Sequence, residues 1–140
     1  MNIAIIASDK KKELITEFCM AYSGVLRRHH ICATATTAKY IKMSTGLSIE
    51  KVLAGAHGGA QQIASKIAYN EVDILILLRD PSNESEYSSV ETTGLMVMCD
   101  KYNIPVATNI ATAEALILAL DRGDLDWRTH AGAKKERLLG

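Results

Sequence analysis

The stretch Val72-Asp73-Ile74-Leu75-Ile76-Leu77-Leu78 decides the fold class of this chain, because it is apolar almost throughout and shows no alternation. A strand that faces solvent on one side alternates apolar and polar residues, whereas a parallel strand with helices on both faces is continuously apolar. The stretch therefore predicts a central strand that is buried on both faces.

Shorter apolar runs lie on either side of this stretch, and helical patterns separate them. We expect strands at 2–7, 30–35, 52–53, 72–78 and 105–107, with helices running from an N-cap at Asp9 through Cys19, at 37–43, at 58–70, around 95–99 and at 112–120. Regular alternation of strands and helices predicts an α/β fold with a five-stranded parallel sheet and helices on both faces. We assign residues 1–122 to a single domain and residues 123–140 to a loosely ordered C-terminal tail.

Composition narrows the functional classes. The chain has 140 residues, and its 16 basic and 16 acidic side chains cancel, so no overall field attracts nucleic acid or an anionic membrane. No apolar run approaches the roughly 20 residues of a membrane span, and Asp9 and the lysines after it interrupt the first apolar stretch, so no signal peptide is expected. Three cysteines without paired spacing, Cys19, Cys32 and Cys99, are typical of buried thiols in the cytoplasm. We predict no metal and no cofactor.

Ligands of parallel α/β sheets bind outside the carboxyl ends of the strands, and two polar clusters follow strands there. Thr34, Thr36 and Thr37 leave the second predicted strand, where their hydroxyl and N–H groups can surround an anion at a helix N-terminus. The alternative is an ordinary strand followed by a helix cap. Lys10, Lys11 and Lys12 follow the first strand, and only one of them need point inward.

The second cluster is Ala54-Gly55-Ala56-His57-Gly58-Gly59-Ala60-Gln61-Gln62. Its glycines allow backbone amides to approach a ligand closely, or they simply permit a tight turn. The cluster is not a Walker loop, because the lysine and the hydroxyl residue that should follow the last glycine are absent. His57 is either an acid–base group or polar surface.

Two carboxylates, Asp80 and Asp9, end the most apolar strand and the first strand. Both can serve as an acid/base pair in the cleft. Alternatively, Asp80 holds its loop through Ser82 or Asn83 and Asp9 caps a helix. Asp73 lies at the opposite end of its strand and is excluded from the site.

Together these segments resemble the methylglyoxal synthase family, with the motifs in order from Asn2 to Leu120. They are Ala4-Ile5-Ile6-Ala7-Ser8-Asp9 with Lys12, Ala33 to Thr37, Ala54-Gly55 with Gly58 to Gln62, Asp80-Pro81 with Asn83, and Asn103 to Ala113. The resemblance implies a Rossmann-like three-layer fold, a homohexamer, and dihydroxyacetone phosphate as a substrate that loses phosphate through an enediolate. The same fold also forms the allosteric domain of the carbamoyl phosphate synthetase large subunit, which binds effectors without chemistry.

Carried over by position, the resemblance makes Lys12 the phosphate-binding lysine and Thr34, Thr36 and Thr37 the threonine motif. The family's Ser-Gly pair becomes Ala54 and Gly55, and Ser8 replaces a histidine beside the substrate. Ala60 occupies the position of the aspartate that serves as the base, and Tyr87 that of another histidine.

These substitutions set our expectation of function. We predict a phosphate site formed by Lys12, Thr34, Thr36, Thr37, Gly55 and Ser8, a pocket completed by Ala54, His57, Gly58, Gly59, Ala60 and Tyr87, and Asp80 and Asp9 as the candidate catalytic groups. We expect a homo-oligomer that binds a small phosphorylated metabolite or inorganic phosphate, with impaired or absent synthase activity because a base is missing. The alternative is an active carbon–oxygen lyase of the methylglyoxal synthase type with a rearranged acid/base set.

Overall fold

The structure is a computed structural model that describes residues 1–52 and 58–129. The strands are β1 (Asn2–Ala7), β2 (His30–Thr34), β3 (Ile49–Val52), β4 (Ile74–Leu78) and β5 (Val106–Ala107). The helices are α1 (Lys12–Ala21), α2 (Ser23–Leu26), α3 (Ala35–Thr45), α4 (Gly59–Ala68), α5 (Glu84–Tyr87), α6 (Val90–Tyr102) and α7 (Ile110–Arg122), with short 3-10 turns at Asp9–Lys11 and Asp126–Thr129.

All five strands are parallel and lie in the order β3-β2-β1-β4-β5, which confirms the predicted fold class. Every residue of β4 is buried, as its continuous apolar sequence predicts. The middle strand is β1, in which Ile5 pairs with Ala33 of β2 on one side and with Ile76 of β4 on the other. β4 is therefore interior rather than strictly central.

Helices cover both faces of the sheet, and alternate residues of β1 point into the two cores. Ile3 and Ile5 belong to a core that includes buried side chains of α1, α3 and α7. Ala4 belongs to the opposite core with side chains of α4 and α6. This division follows from right-handed crossovers, because the chain moves across the sheet in one direction from β1 to β3 and in the other direction from β3 to β5.

The boundaries of several elements differ from the sequence prediction for local reasons. β3 begins at Ile49. Its Glu50 and Lys51 are exposed because β3 lies at the edge of the sheet, so the strand contains no continuous apolar run that would predict it. α7 begins at Ile110 because the Asn109 side chain accepts a hydrogen bond from the Thr112 N–H at 3.1 Å. α5 was not predicted at all, since its four residues are polar or exposed and lie within the loop after β4.

The predicted N-cap at Asp9 is wrong. Asp9 instead starts a 3-10 turn, and α1 begins only at Lys12. The Asp9 side chain is fully exposed and caps no helix. The 3-10 turn matters because it places Lys12 at the start of α1, where its ammonium reaches the end of β1.

Residues Asp126–Thr129 form a short 3-10 turn, and the side chain of Arg128 connects this turn to the sheet. Arg128 is buried, donates from Nε to Asp73 Oδ1 at 3.3 Å and from Nη1 to the Asn103 carbonyl at 2.7 Å. Asp73 also accepts the Asn2 N–H at 2.9 Å, so it lies at the amino end of the sheet, away from the site, as predicted. Residues 130–140 lie outside the described part, and the domain boundary at residue 122 stays a prediction. In the two described ranges no helix has the length and apolarity of a membrane span.

Candidate active site

A cleft of about 530 Å³ opens at the carboxyl ends of β1 and β4. The chain leaves these neighbouring strands in opposite directions, toward β2 and toward β5, and such a reversal creates a crevice in an open parallel sheet. The Ser8 N–H donates to the Leu78 carbonyl at 3.0 Å, which holds the two exits together. The two strand exits therefore lie side by side in the lining of the cleft.

Lys12 supplies a largely buried cation to the cleft. Its side chain is only 12% exposed, and its ammonium donates to the carbonyl of Ala7 and lies 3.9 Å from Asp9 Oδ1. Burial lowers the pKa of Lys12, while Asp9 and Glu86 raise it in part. Of the three predicted lysines, the structure turns Lys12 toward the cleft.

The threonine cluster lies beside this cation. Thr34 Oγ1 donates to Thr37 Oγ1 at 3.2 Å, and both residues are buried, whereas Thr36 is exposed. Thr34 and Thr36 line the cleft. Thr37 accepts the hydrogen bond of the Thr34 hydroxyl and is not part of the cleft lining. The first N–H groups of α3 have no partner within the helix, so this N-terminus is suited to an anion.

Two buried polar atoms beside the cleft have no hydrogen-bond partner among the described residues: Ser8 Oγ and Arg79 Nε. Both residues line the cleft. Unpaired buried donors are rare in folded proteins, so they are available to a bound ligand. Arg79 was not identified from the sequence, although its position directly after the most apolar strand is a signal of a residue at the carboxyl edge.

Asp80 is held by its own loop. Its Oδ1 accepts from the Ser82 N–H at 3.0 Å and from the Ser82 hydroxyl at 2.7 Å, and its Oδ2 lies 4.0 Å from Lys10 Nζ. The hydrogen bonds from Ser82 lower the pKa of Asp80, with Lys10 and Lys11 adding to the effect. These contacts correspond to the alternative interpretation, in which Asp80 holds its own loop through Ser82.

Glu86 is a cleft carboxylate that sequence reasoning missed. It lies on α5 and lines the cleft together with Lys12 and Ala60. Burial raises the pKa of Glu86, as do Asp9 and Asp80, while Lys12 lowers it in part. The lining of the cleft therefore includes both Ala60 and a partly desolvated carboxylate.

The remaining predicted residues are placed as follows. The guanidinium of Arg79 lies 4.2 Å from the ring centroid of Tyr87, a cation–π contact that joins the loop after β4 to α5. Gly58 has a φ of 98° and caps α4, and the buried Gly59 begins that helix. Ala54, Gly55 and His57 lie outside the described residues.

This arrangement has a clear chemical capacity. Lys12, Arg79, the threonine hydroxyls and the α3 N-terminus can bind a phosphate group. Glu86 can accept a proton from a carbon or oxygen atom of the same ligand. Within residues 1–52 and 58–129 no group of three or more His, Cys, Asp or Glu side chains could hold a metal ion.

Comparisons with known proteins give matches to one family over most of the chain. The family model described as "MGS-like domain" matches residues 15–108. The chain is 50% identical over 137 residues to a methylglyoxal synthase of Caldicellulosiruptor saccharolyticus, covering 98% of this chain and 96% of the relative. It is 42% identical over 138 residues to that of Clostridioides difficile, covering 99% of this chain and 100% of the relative.

A solved structure has the same fold. The crystal structure of methylglyoxal synthase from Elizabethkingia anophelis NUHP1 superimposes with a TM-score of 0.74 at 31% sequence identity. The match covers 83% of this chain and 76% of the other.

Proposed function

This chain belongs to the methylglyoxal synthase family, and from that premise we propose that it is an active methylglyoxal synthase. The proposed reaction converts dihydroxyacetone phosphate into methylglyoxal and inorganic phosphate. The enzyme is thus a carbon–oxygen lyase that acts on a small phosphorylated ketone.

The expectation of a binding protein with impaired or absent synthase activity was wrong. It depended on Ala60, which replaces the expected base, together with Tyr87, which replaces an expected histidine. Identity of 50% and 42% to methylglyoxal synthases over essentially the full length of both chains overturns it. A substitution at one position removes a catalytic group only if no other group reaches the same space.

The observation that carries the proposal is the presence of both required kinds of group in one cleft. Lys12 at the start of α1 and Thr34 and Thr36 at the N-terminus of α3 line the cleft, and Glu86 lines the same cleft. The first set can bind the phosphate group of the substrate, and the carboxylate can accept the proton of its hydroxymethyl carbon. A protein that only binds phosphate needs no such carboxylate.

The reaction balances with acid/base steps alone. A base removes a proton from the hydroxymethyl carbon, and the C–H electron pair forms a C=C bond while the carbonyl oxygen becomes an oxyanion. The C=C electron pair then shifts toward the CH₂ carbon and expels phosphate with the electron pair of the C–O bond, while the former hydroxyl group gives its proton to the departing phosphate and becomes the aldehyde. The resulting enolate takes a proton at its CH₂ carbon, and its oxyanion becomes the ketone of methylglyoxal.

Lys12 provides the first test. We expect the unmodified chain to form methylglyoxal and phosphate in equal amounts from dihydroxyacetone phosphate. Lys12→Ala removes a charge-assisted contact worth roughly 1.5–3 kcal/mol, so kcat/KM and phosphate affinity fall about 10- to 150-fold. The matched control is Lys39→Ala, at an exposed position of α3. An equal loss of kcat/KM and phosphate affinity in both variants contradicts the proposed phosphate site.

We also propose a homo-oligomer in the cytoplasm, with the hexamer implied by the family resemblance. Exposed Met20 on α1 and exposed Tyr40 and Met43 on α3 support association. The buried, unpaired Cys19, Cys32 and Cys99 support a reducing compartment. Light scattering coupled to size exclusion gives the oligomeric state, and a monomeric mass at micromolar concentration contradicts the first proposal.

A further inference from the structure

We infer that Glu86 is the catalytic base of this cleft, an inference that rests on the proposed function. In this assignment a Glu86 carboxylate oxygen takes the proton from the hydroxymethyl carbon of dihydroxyacetone phosphate. Glu86 thus supplies the carboxylate that Ala60 does not.

Local contacts hold Glu86 in position. The Asn83 side chain accepts the Glu86 N–H at 3.3 Å and donates from Nδ2 to Glu86 Oε2 at 3.2 Å. The Thr92 hydroxyl donates to the Glu86 carbonyl at 3.2 Å. These contacts connect α5 to the residue before it and to the start of α6. The helical turn that carries the Glu86 carboxylate is therefore held at both ends.

The other carboxylates near the cleft are less suited to the task. Asp80 accepts two hydrogen bonds from Ser82 and lies near Lys10, which stabilise its ionised form and weaken it as a base. Asp9 has a fully exposed side chain and lies beside the Lys12 ammonium. Glu91 lines the cleft but is exposed to solvent. Glu86 alone among these four combines partial burial with a place in the cleft wall.

Electrostatics agree with the geometry. Burial and two neighbouring carboxylates raise the pKa of Glu86, and a carboxylate of higher pKa is a stronger base toward a carbon acid. Lys12 lies close enough to stabilise its ionised form in part. The same ammonium can hold the substrate phosphate, so one cation orients both reactants.

The proton transfer leaves a defined product. The C–H bond breaks and an O–H bond forms on Glu86, while the electron pair of the C–H bond moves into the enediolate. The negative charge develops on the substrate carbonyl oxygen. The protonated Glu86 carboxyl can then return this proton to the CH₂ carbon of the enolate after phosphate has left.

Glu86→Gln tests the assignment, because it keeps the size of the side chain and an oxygen for Asn83 but removes the base. We expect kcat for dihydroxyacetone phosphate to fall about 10²- to 10⁴-fold, with the affinity for inorganic phosphate, measured by titration calorimetry, changed less than about twofold. Glu84→Gln, at an exposed position of the same helix, is the matched control and keeps full activity.

The outcomes separate the assignment from the function on which it rests. An inactive unmodified chain contradicts the proposed function. An active unmodified chain with a Glu86→Gln variant that loses less than about tenfold overturns the role of Glu86. Loss of phosphate affinity as large as the loss of kcat also overturns it, since a base does not bind phosphate. If Glu86→Gln does not fold, Glu86→Asp replaces it: intermediate turnover supports the assignment, and turnover equal to that of the unmodified chain contradicts it.

Discussion

At the scale of single residues, Glu86 and Lys12 line one cleft and influence each other's ionisation. The raised pKa of Glu86 means that its basic form is lost as pH falls through that pKa. The lowered pKa of Lys12 means that its charge is lost as pH rises through that pKa. The proposed reaction therefore needs a pH window bounded by Glu86 on the acidic side and by Lys12 on the alkaline side.

Removal of the Asp9 charge should move this window. Burial is the largest cause of the raised pKa of Glu86, and the charge of Asp9 is the second. The same charge also raises the pKa of Lys12 in part. We therefore expect Asp9→Asn to shift both limbs of the pH profile of kcat/KM to lower pH. Asp100→Asn, at an exposed position on α6, should leave the profile unchanged, and an Asp9→Asn profile that moves to higher pH contradicts this account of the cleft.

The sequence identified the groups suited to an anion more readily than the carboxylate in the cleft. Lys12, Thr34 and Thr36 follow the carboxyl ends of strands, so the sheet topology alone brings them together. Glu86 lies on a single helical turn in a polar loop, and no periodicity marks such a turn. Its path depends on the Asn83 and Thr92 contacts, which no sequence pattern indicates.

At the scale of elements, side-chain caps set where helices begin. The Asn109 side chain accepts from the Thr112 N–H at 3.1 Å and from the Thr112 hydroxyl at 3.3 Å. α7 follows the shortest strand, β5, and packs Ala113, Ile117 and Leu120 into one core. This cap therefore supports the edge of the sheet.

We expect Asn109→Ala to lower the free energy of unfolding by about 1 kcal/mol, because it leaves the Thr112 N–H without its side-chain acceptor. Glu114→Ala, exposed on the same helix, should change it by less than about 0.5 kcal/mol. Urea denaturation followed by circular dichroism measures both. Equal effects of the two substitutions contradict a capping role.

The elements that the sequence predicted best are those with strong apolar periodicity or a glycine stop. α3 ends where Gly46 adopts a φ of 69°, as the sequence suggests. The start of α1 was misplaced because the acidic residue at position 9 looks like a cap, whereas the backbone there forms a 3-10 turn. Residue type alone does not distinguish the two conformations.

At the scale of the whole molecule, Arg128 joins the end of the described chain to the amino edge of the sheet. Its side chain is 1% exposed and its partner Asp73 is 11% exposed. A buried ion pair adds little net stability, but removal of one partner leaves the other charge uncompensated. The segment after α7 is therefore coupled to the strands at the end opposite the cleft.

We expect Arg128→Met to lower the free energy of unfolding by about 3–5 kcal/mol without a direct effect on phosphate binding. Arg122→Met removes an exposed pair with Asp124 and should cost at most about 1 kcal/mol. Guanidinium denaturation measures the difference. An Arg128→Met variant as stable as the unmodified chain contradicts the coupling.

The overall architecture could be predicted from the sequence because hydrophobic burial and handed crossovers determine it. The apolar run at residues 72–78 specifies a sheet covered on both faces, and alternation with helices specifies parallel strands. Activity could not be read in the same way, because the replacement of one carboxylate by Ala60 does not show where another side chain reaches.

The most direct test of the central claim is a phosphorus NMR time course of dihydroxyacetone phosphate with the purified full chain. If the chain is an active methylglyoxal synthase, the signal of the phosphate ester disappears, inorganic phosphate replaces it one for one, and an equal amount of methylglyoxal is trapped. A substrate signal that changes on binding but keeps its full intensity, with no methylglyoxal formed, would contradict the proposed activity.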